Sequence, residues 1–266
     1  MKHISCTVTA TAAAFGAHRI VTLSAPDLLR MRAGQLLLAR MNDTLDPYLP
    51  SAYFRMPARP GELALLVDAD DPLARKTPGE PLELIAPVGN GFALDPATRL
   101  LLLVADAARL APLIALAHEA SQKQIAVSLL VYTAVPDVRH GTLDDANLAA
   151  WLSEMLPLDV EYQVAAELPA LLPGLLAWAD QLCAAGDLKL YARLKESPGL
   201  EGRMMPGGGR RHARDTGSVL PAGFAQVIVA PLMACGFGAC QGCAVETARG
   251  MRLACVEGPV FDLGEL

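Results

Sequence analysis

The pattern of apolar positions divides the chain into two regions of different character. In the first region, short apolar runs are broken by Pro and Gly, which is typical of antiparallel strands. We predict such strands over 20–23, 35–39, 62–67 and 82–85. Several short strands at this spacing predict a small barrel or sandwich.

After residue 97 longer apolar runs alternate with helical patterns. We predict strands over 100–104, 126–132, 160–164 and 182–185, and helices over 112–122, 148–155 and 171–178. A continuous apolar run such as 100–104 suits a parallel strand that is covered on both faces. The alternation therefore predicts a doubly wound parallel sheet.

These patterns predict an α+β multidomain protein with three parts. An antiparallel β-barrel spans 1–97, an α/β domain spans 98–217, and a small tail spans 218–266, which a strand at 225–229 enters. The segment 198–217 contains a Gly-rich basic run at 207–214. We interpret this run as a solvated linker rather than a docking or phosphate site.

Four of the six cysteines lie in the last 32 residues, with the spacing C-x4-C-x2-C-x11-C. They are Cys235, Cys240, Cys243 and Cys255. Such clustering indicates a metal site rather than disulfides. Structural zinc usually takes paired C-x2-C units, whereas this spacing is that of plant-type [2Fe–2S] sites. The sequence favours the iron–sulfur cluster, with zinc or incidental thiols as the alternatives.

Glycines within the cysteine segment support the cluster. Gly236, Gly238 and Gly242 can take positive φ and let the backbone approach a cluster, with N–H groups directed at sulfur. The two remaining cysteines, Cys6 and Cys183, lie in apolar surroundings. We predict that both are core residues.

Composition excludes several classes of protein. Hydrophobic residues make up 53% of the chain and the net charge is −6, which argues against disorder and against a protein that mainly grips nucleic acid. No apolar run approaches the roughly 20 residues that a membrane span needs, and the first residues lack a signal-peptide pattern. We expect a cytoplasmic location. The five histidines are scattered, and we assign no catalytic residue.

The segment 233–243, which reads Met-Ala-Cys-Gly-Phe-Gly-Ala-Cys-Gln-Gly-Cys, resembles the electron-transfer subunit of NAD-linked dihydroorotate dehydrogenases. The segment 254–261 is similar to the ending of that family. Upstream, 79–92 resembles its junction between barrel and second domain, 110–113 the start of a helix, and 178–186 a late strand. The resemblance covers most of the chain, but only the cysteine motif is highly specific.

The resemblance implies a ferredoxin-reductase-like protein, with a barrel that binds FAD, a nucleotide-binding domain and a [2Fe–2S] tail held by the four cysteines. In the family, electrons pass between the FMN of a catalytic dehydrogenase subunit and NAD, in pyrimidine biosynthesis. It further implies a heterotetramer with that subunit, without nucleic acid or a membrane span.

Three departures from the family concern the nucleotides. The family's Arg-Pro-x-Ser motif is replaced at 49–56 by Leu-Pro-Ser-Ala-Tyr-Phe-Arg-Met, and its Gly-Lys-Gly-Thr-like turn at 68–72 by Asp-Ala-Asp-Asp-Pro. Its glycine-rich turn after the first strand of the second domain is replaced at 105–109 by Ala-Asp-Ala-Ala-Arg. Carboxylates at these turns are expected to repel a diphosphate. Asp106 and its neighbours are expected to obstruct phosphate approach.

A diverged member could still bind FAD through other residues. Tyr53 could stack on a flavin or pack in the core, and Arg55 could meet a phosphate. We assign no flavin-contacting residue from the sequence.

Three hypotheses remain open at this point. The first is an electron-relay subunit with [2Fe–2S] and FAD. The second is a non-enzymatic iron–sulfur carrier or assembly subunit without flavin and nicotinamide. The third is a structural zinc module on an inactive scaffold.

Overall fold

The computed structural model describes residues 1–25, 31–41, 49–133, 144–166, 170–201 and 220–266. The basic run at 207–214 lies outside these residues. Residues 198–201, which we assigned to the linker, form a short helix instead. The domain boundaries at 97 and 217 stay predictions.

Six antiparallel strands close into a barrel in the order β1-β2-β5-β4-β3-β6. They are β1 (Lys2–Ala13), β2 (His18–Ser24), β3 (Leu36–Arg40), β4 (Ser51–Met56), β5 (Glu62–Asp68) and β6 (Pro81–Val88). The predicted barrel is confirmed. The four predicted strands correspond to β2, β3, β5 and β6, whereas β1 and β4 were not among them. In β4, Ser51 and Arg55 interrupt the alternation.

The barrel interior is filled by inward-facing aliphatic side chains. Val21, Leu23, Leu65 and Leu82 have no exposed surface. Cys6 lies among them, and its thiol donates to the Leu82 carbonyl at 3.4 Å. Its prediction as a core residue is confirmed.

The second part contains five parallel strands in the order β11-β10-β7-β8-β9. They are β7 (Leu100–Asp106), β8 (Ala126–Tyr132), β9 (Val160–Ala165), β10 (Gln181–Ala185) and β11 (Ala225–Ile228). The central strands are apolar on both faces, as predicted. Cys183 lies on β10 with no exposed surface, so its prediction as a core residue is confirmed.

Helices cover both faces of this sheet. They are α1 (Ala111–Gln122), α2 (Asp145–Met155), α3 (Leu172–Trp178), α4 (Leu188–Lys195) and α5 (Pro198–Glu201). Leu101 and Leu103 pack with α1 and α2, whereas Leu102 and Val104 pack with α3 and α4. The doubly wound arrangement is confirmed. None of the helices in the described ranges is long and apolar enough to cross a membrane.

The barrel packs on the α1 face of the sheet. The Arg55 guanidinium on β4 contacts the Glu119 carboxylate on α1 at 2.5 Å, and the Ala33 backbone N–H donates to the same oxygen at 2.9 Å. Phe15 of the barrel packs on Trp151 of α2 with ring centroids 4.7 Å apart. These contacts connect the two parts.

The tail adds three strands, β12 (Ala244–Thr247), β13 (Gly250–Leu253) and β14 (Val260–Asp262). The first two form a hairpin, and β14 returns to the sheet to pair antiparallel with β11. The cysteine segment is thus fixed at both ends, by β11 before it and by β14 after it.

Candidate metal centre and adjoining cleft

The four clustered cysteines lie around the base of the β12–β13 hairpin. Cys235 and Cys240 lie in the loop between β11 and β12, Cys243 directly precedes β12, and Cys255 follows β13. The Ala254 N–H donates to the Cys243 carbonyl at 3.0 Å, which extends the hairpin ladder by one step. That step brings the third and fourth cysteines together although eleven residues separate them.

The thiols form two neighbouring pairs. The Cys235 side chain is hydrogen-bonded to that of Cys240, and the Cys243 side chain to that of Cys255. Within the described parts of the chain, no three Cys, His, Asp or Glu side chains converge on one point, as the ligands of a single metal ion do. Two cysteine pairs are the donor set of a two-iron cluster, in which each iron takes two cysteine sulfurs.

Backbone N–H groups are directed at the sulfur atoms. The N–H groups of Cys240, Phe237 and Ala239 donate to the Cys235 sulfur and lower the pKa of that thiol to about 6. Burial raises the pKa of Cys255 to about 12, while the Gly238 N–H donates to its sulfur and opposes that shift. The loop therefore directs backbone N–H donors at cysteine sulfur, and of the three glycines named from the sequence only Gly238 is among these donors.

Two of the three glycines behave as expected. Gly236 and Gly238 have φ of 78° and 86°, and a Cβ on Gly236 would lie 2.9 Å from Leu38 Cδ1. The prediction for Gly242 is wrong, because the positive φ falls on its neighbour Gln241 at 56°. Gly242 has room for a Cβ at 3.7 Å from the Cys240 sulfur.

The Gly-Asn turn after β6 holds the end of the cysteine segment. The Asn90 side chain donates to the Glu257 and Val260 carbonyls at 2.9 Å and accepts from the Val260 N–H at 3.0 Å. A Cβ on Gly89 would lie 2.4 Å from the Gly258 carbonyl oxygen. The motif that resembled a domain junction thus also fixes the chain just after Cys255.

A cleft of about 490 Å³ lies between the barrel and the carboxyl ends of the parallel strands. Such edges are where doubly wound sheets bind ligands. Its lining includes Leu36, Phe54, Arg109, Pro112, Gly186 and Tyr191, together with residues 228–231. The chain leaves this lining at Pro231 and reaches Cys235 four residues later, so cleft and cysteine loop are contiguous.

Carboxylates occupy the barrel turn that was expected to meet a diphosphate. Asp71 caps the start of the 3₁₀ helix Pro72–Arg75, where its side chain accepts from the Leu73 N–H at 2.8 Å. Asp68 contacts His18 at 3.2 Å. Burial raises the pKa of Asp71, although hydrogen bonds from the Tyr53 hydroxyl and the Leu73 N–H oppose this shift. The Leu73 N–H, which is a backbone donor of this turn, is therefore hydrogen-bonded to Asp71 rather than available to a diphosphate.

The two residues considered for flavin contact both have structural partners. Tyr53 is buried in the barrel core, and its hydroxyl donates to Asp71 Oδ1 at 2.7 Å. Tyr53 thus packs in the core as expected, and it also belongs to the lining of the cleft, so its contact with a flavin stays a prediction. Arg55 is paired with Glu119 across the joint.

Several cleft residues were missed by sequence reasoning. Phe54, Gly186 and Tyr191 were not singled out, although all three line the cleft. The Tyr191 hydroxyl donates to the Ile228 carbonyl at 2.5 Å and accepts from the Gly186 N–H at 2.9 Å. A signal was available in Gly186-Asp187, a strand-end glycine followed by a helix-capping carboxylate.

Comparisons with known proteins agree with this geometry. Residues 231–266 match the iron–sulfur cluster binding domain of dihydroorotate dehydrogenase B. The dihydroorotate dehydrogenase B (NAD(+)) electron transfer subunit of Desulforamulus reducens is 26% identical over 263 residues, which cover 89% of this chain and 87% of that protein.

The chain is therefore similar in sequence to a dihydroorotate dehydrogenase B electron transfer subunit, most specifically in its iron–sulfur segment. The predicted resemblance is confirmed.

Solved structures agree on the fold. The NADH-dependent reduced ferredoxin–NADP oxidoreductase has a TM-score of 0.70 and 15% identity, covering 98% of this chain and 88% of that one. Phthalate dioxygenase reductase, described as transferring electrons from pyridine nucleotides to [2Fe–2S], has a TM-score of 0.57 and 14% identity, covering 95% and 94%. The ferredoxin-reductase-like architecture of barrel, parallel sheet and tail is therefore shared with them.

Proposed function

We propose that this chain is an electron-transfer subunit that relays electrons through a [2Fe–2S] cluster. The relay connects a flavoprotein dehydrogenase, such as dihydroorotate dehydrogenase, with NAD or another acceptor in pyrimidine biosynthesis. One observation carries the proposal: the loop that lines the cleft at Val229 and Pro231 continues directly into two cysteine pairs. Its relatives point to the same role.

The cluster is assigned to Cys235, Cys240, Cys243 and Cys255. Their pairing and the N–H donors of the loop support a bound cluster whose sulfur atoms carry negative charge. A [2Fe–2S] cluster supplies one-electron transfer when bound. The Cys240 edge of the loop is exposed, so that an electron donor or acceptor can approach it.

An FAD is assigned to the cleft. Its volume and the apolar side chains of Leu36, Phe54 and Pro112 suit a planar isoalloxazine ring. The diphosphate end of FAD fits less well, because Asp71 takes the backbone donor of the barrel turn. In this proposal the chain holds the cofactor mainly by its ring.

We further propose a catalytic, FMN-containing dehydrogenase subunit as the partner, in a cytoplasmic heterotetramer. The cysteine loop presents exposed apolar side chains, including Phe237 (59% exposed) and Leu232 (69%). No charged residue occurs between 228 and 245. An uncharged apolar surface of this kind supports a stable protein contact.

A second candidate function is a non-enzymatic iron–sulfur carrier or assembly subunit that has lost flavin and nicotinamide. It is favoured by the carboxylates at both turns where phosphates were expected. The flavin content of native protein distinguishes the two, because only the relay subunit releases flavin on heating.

The test of the cluster assignment uses anaerobically purified protein. We expect Cys240→Ser to abolish the visible cluster spectrum and to leave a folded barrel, because one iron loses a ligand. Cys6→Ser is the matched control, since its hydroxyl can keep the hydrogen bond to Leu82. Iron, acid-labile sulfide and zinc are quantified in each preparation. An unchanged spectrum in Cys240→Ser, or a colourless protein that contains zinc, would refute the assignment.

A further inference from the structure

The turn after β7 contains a buried carboxylate with an unused acceptor. The Asp106 side chain is only 3% exposed, and its Oδ2 is paired with the Arg109 guanidinium. Its Oδ1 is also buried and has no hydrogen-bond partner within the described parts of the chain. A buried acceptor without a donor is costly, so its place in the fold calls for an explanation.

That place is the ligand-binding edge of the sheet. Asp106 is the last residue of β7, and Arg109, Ala111 and Pro112, which follow it, line the cleft. α1 begins here without a side-chain cap. In other doubly wound sheets a turn at this edge, when rich in glycine, receives a diphosphate on free backbone N–H groups.

The charges around Asp106 weigh against a diphosphate. Arg109 is the cation that faces it, and Asp187, at the start of α4, is a second carboxylate within electrostatic range. The Tyr191 hydroxyl also lies within electrostatic range of Asp106 and Arg109. Asp106 and Arg109 neutralise each other, and Asp187 adds one further negative charge. The edge therefore carries an excess of negative charge when its carboxylates are ionised.

We propose that Asp106 is a specificity-determining residue that disfavours diphosphate-containing ligands at this edge and keeps Arg109 from binding their phosphates. The group that Asp106 admits is an uncharged N–H or O–H donor, which would satisfy Oδ1. This inference rests on the proposed function, in which the cleft receives an electron donor or acceptor next to the cluster. It adds that a pyridine dinucleotide whose diphosphate meets this turn is bound weakly there, whereas the FAD assigned to the cleft is held mainly through its ring.

The test measures the binding of ADP-ribose, a diphosphate without a redox group, to the purified cluster-containing protein by titration calorimetry. Asp106→Asn keeps the shape of the side chain, removes its charge and releases Arg109. We expect the dissociation constant of ADP-ribose to fall by roughly tenfold, the effect of removing one like-charge repulsion.

A second substitution identifies the cation. Arg109→Gln alone should not tighten binding and is expected to weaken it, because it leaves the Asp106 carboxylate without its cation. In the Asp106→Asn background, Arg109→Gln should remove the gain. The matched control is Asp180→Asn at the opposite end of β7, where the carboxylate accepts from the Arg99 and Leu100 N–H groups at 2.9 and 3.0 Å. It should have no effect on binding.

If Asp106→Asn binds ADP-ribose no more tightly than the natural protein, or if neither binds it, the proposal is overturned. A gain that survives Arg109→Gln overturns the role of Arg109. The visible cluster spectrum is recorded for every sample. Its absence from the natural protein would contradict the proposed function instead, independently of the binding result.

Discussion

The cysteine loop and the turn after β7 both follow a parallel strand at the same edge of the sheet, but their polar groups are used in opposite ways. In the cysteine loop, the backbone N–H groups of Phe237, Ala239 and Cys240 are directed at sulfur. In the turn after β7, the carboxylate of Asp106 is paired with the cation that follows it. One turn is arranged to receive negative charge, and the other already contains it.

The difference teaches how anion binding is lost without loss of the fold. Both turns leave their strands intact, because strand pairing depends on the buried aliphatic residues and not on the turn. A carboxylate in place of glycine in such a turn therefore changes the charge that a ligand meets without changing the fold. The barrel turn at Asp71 shows the same outcome in a second place.

The largest effect is expected from a substitution within the cysteine loop. Gly236→Ala should remove most of the cluster absorbance, because φ at this position is 78° and the new Cβ would lie 2.9 Å from Leu38. Gly242→Ala is the matched control and should retain the spectrum, since its Cβ meets only an ordinary contact at 3.7 Å. Equal cluster content in the two purified variants would contradict this account of the loop.

The joint between barrel and sheet gives the next largest effect. Arg55→Met should lower the free energy of unfolding by about 2 kcal/mol, because it leaves Glu119 half-buried without its cation. Thermal or denaturant unfolding measures this loss, and the double variant Arg55→Met/Glu119→Gln should recover part of it. If Arg55 instead held a phosphate, flavin content would fall at unchanged stability.

The smallest effect concerns the barrel turn and its pH dependence. Because burial raises the pKa of Asp71 in the folded protein, the folded state binds this proton more tightly than the unfolded state. Its contribution to stability therefore declines as the pH rises from the ordinary aspartate range through the folded pKa.

Asp71→Asn keeps the acceptor for Leu73 and cannot titrate. We expect it to be more stable than the natural protein at pH 7, by at most about 1 kcal/mol, and this advantage should vanish in acid. Unfolding curves at several pH values measure the difference. A variant that is less stable at pH 7 and equal in acid would show that the charge stabilises the turn.

Much of this fold could be predicted from the sequence. The strand over 100–104 and the helix over 112–122 were readable because each is apolar in a pattern that belongs to one element type. Strand β4 was not readable, because Arg55 interrupts its apolar pattern, and its partner Glu119 lies 64 residues away. The positive φ at Gln241 rather than Gly242 was also beyond local reasoning.

The sequence by itself determined the order of the elements, the four-cysteine motif and the loss of glycine from two turns, because these depend on residue type and local spacing. Only the tertiary structure decided that Cys243 meets Cys255 across a hairpin, that Tyr53 lies in the barrel core, and that Asp106 is buried at the edge of a cleft. Those outcomes depend on contacts between residues distant in the chain. Such contacts are fixed by barrel closure and by the return of β14 to the sheet.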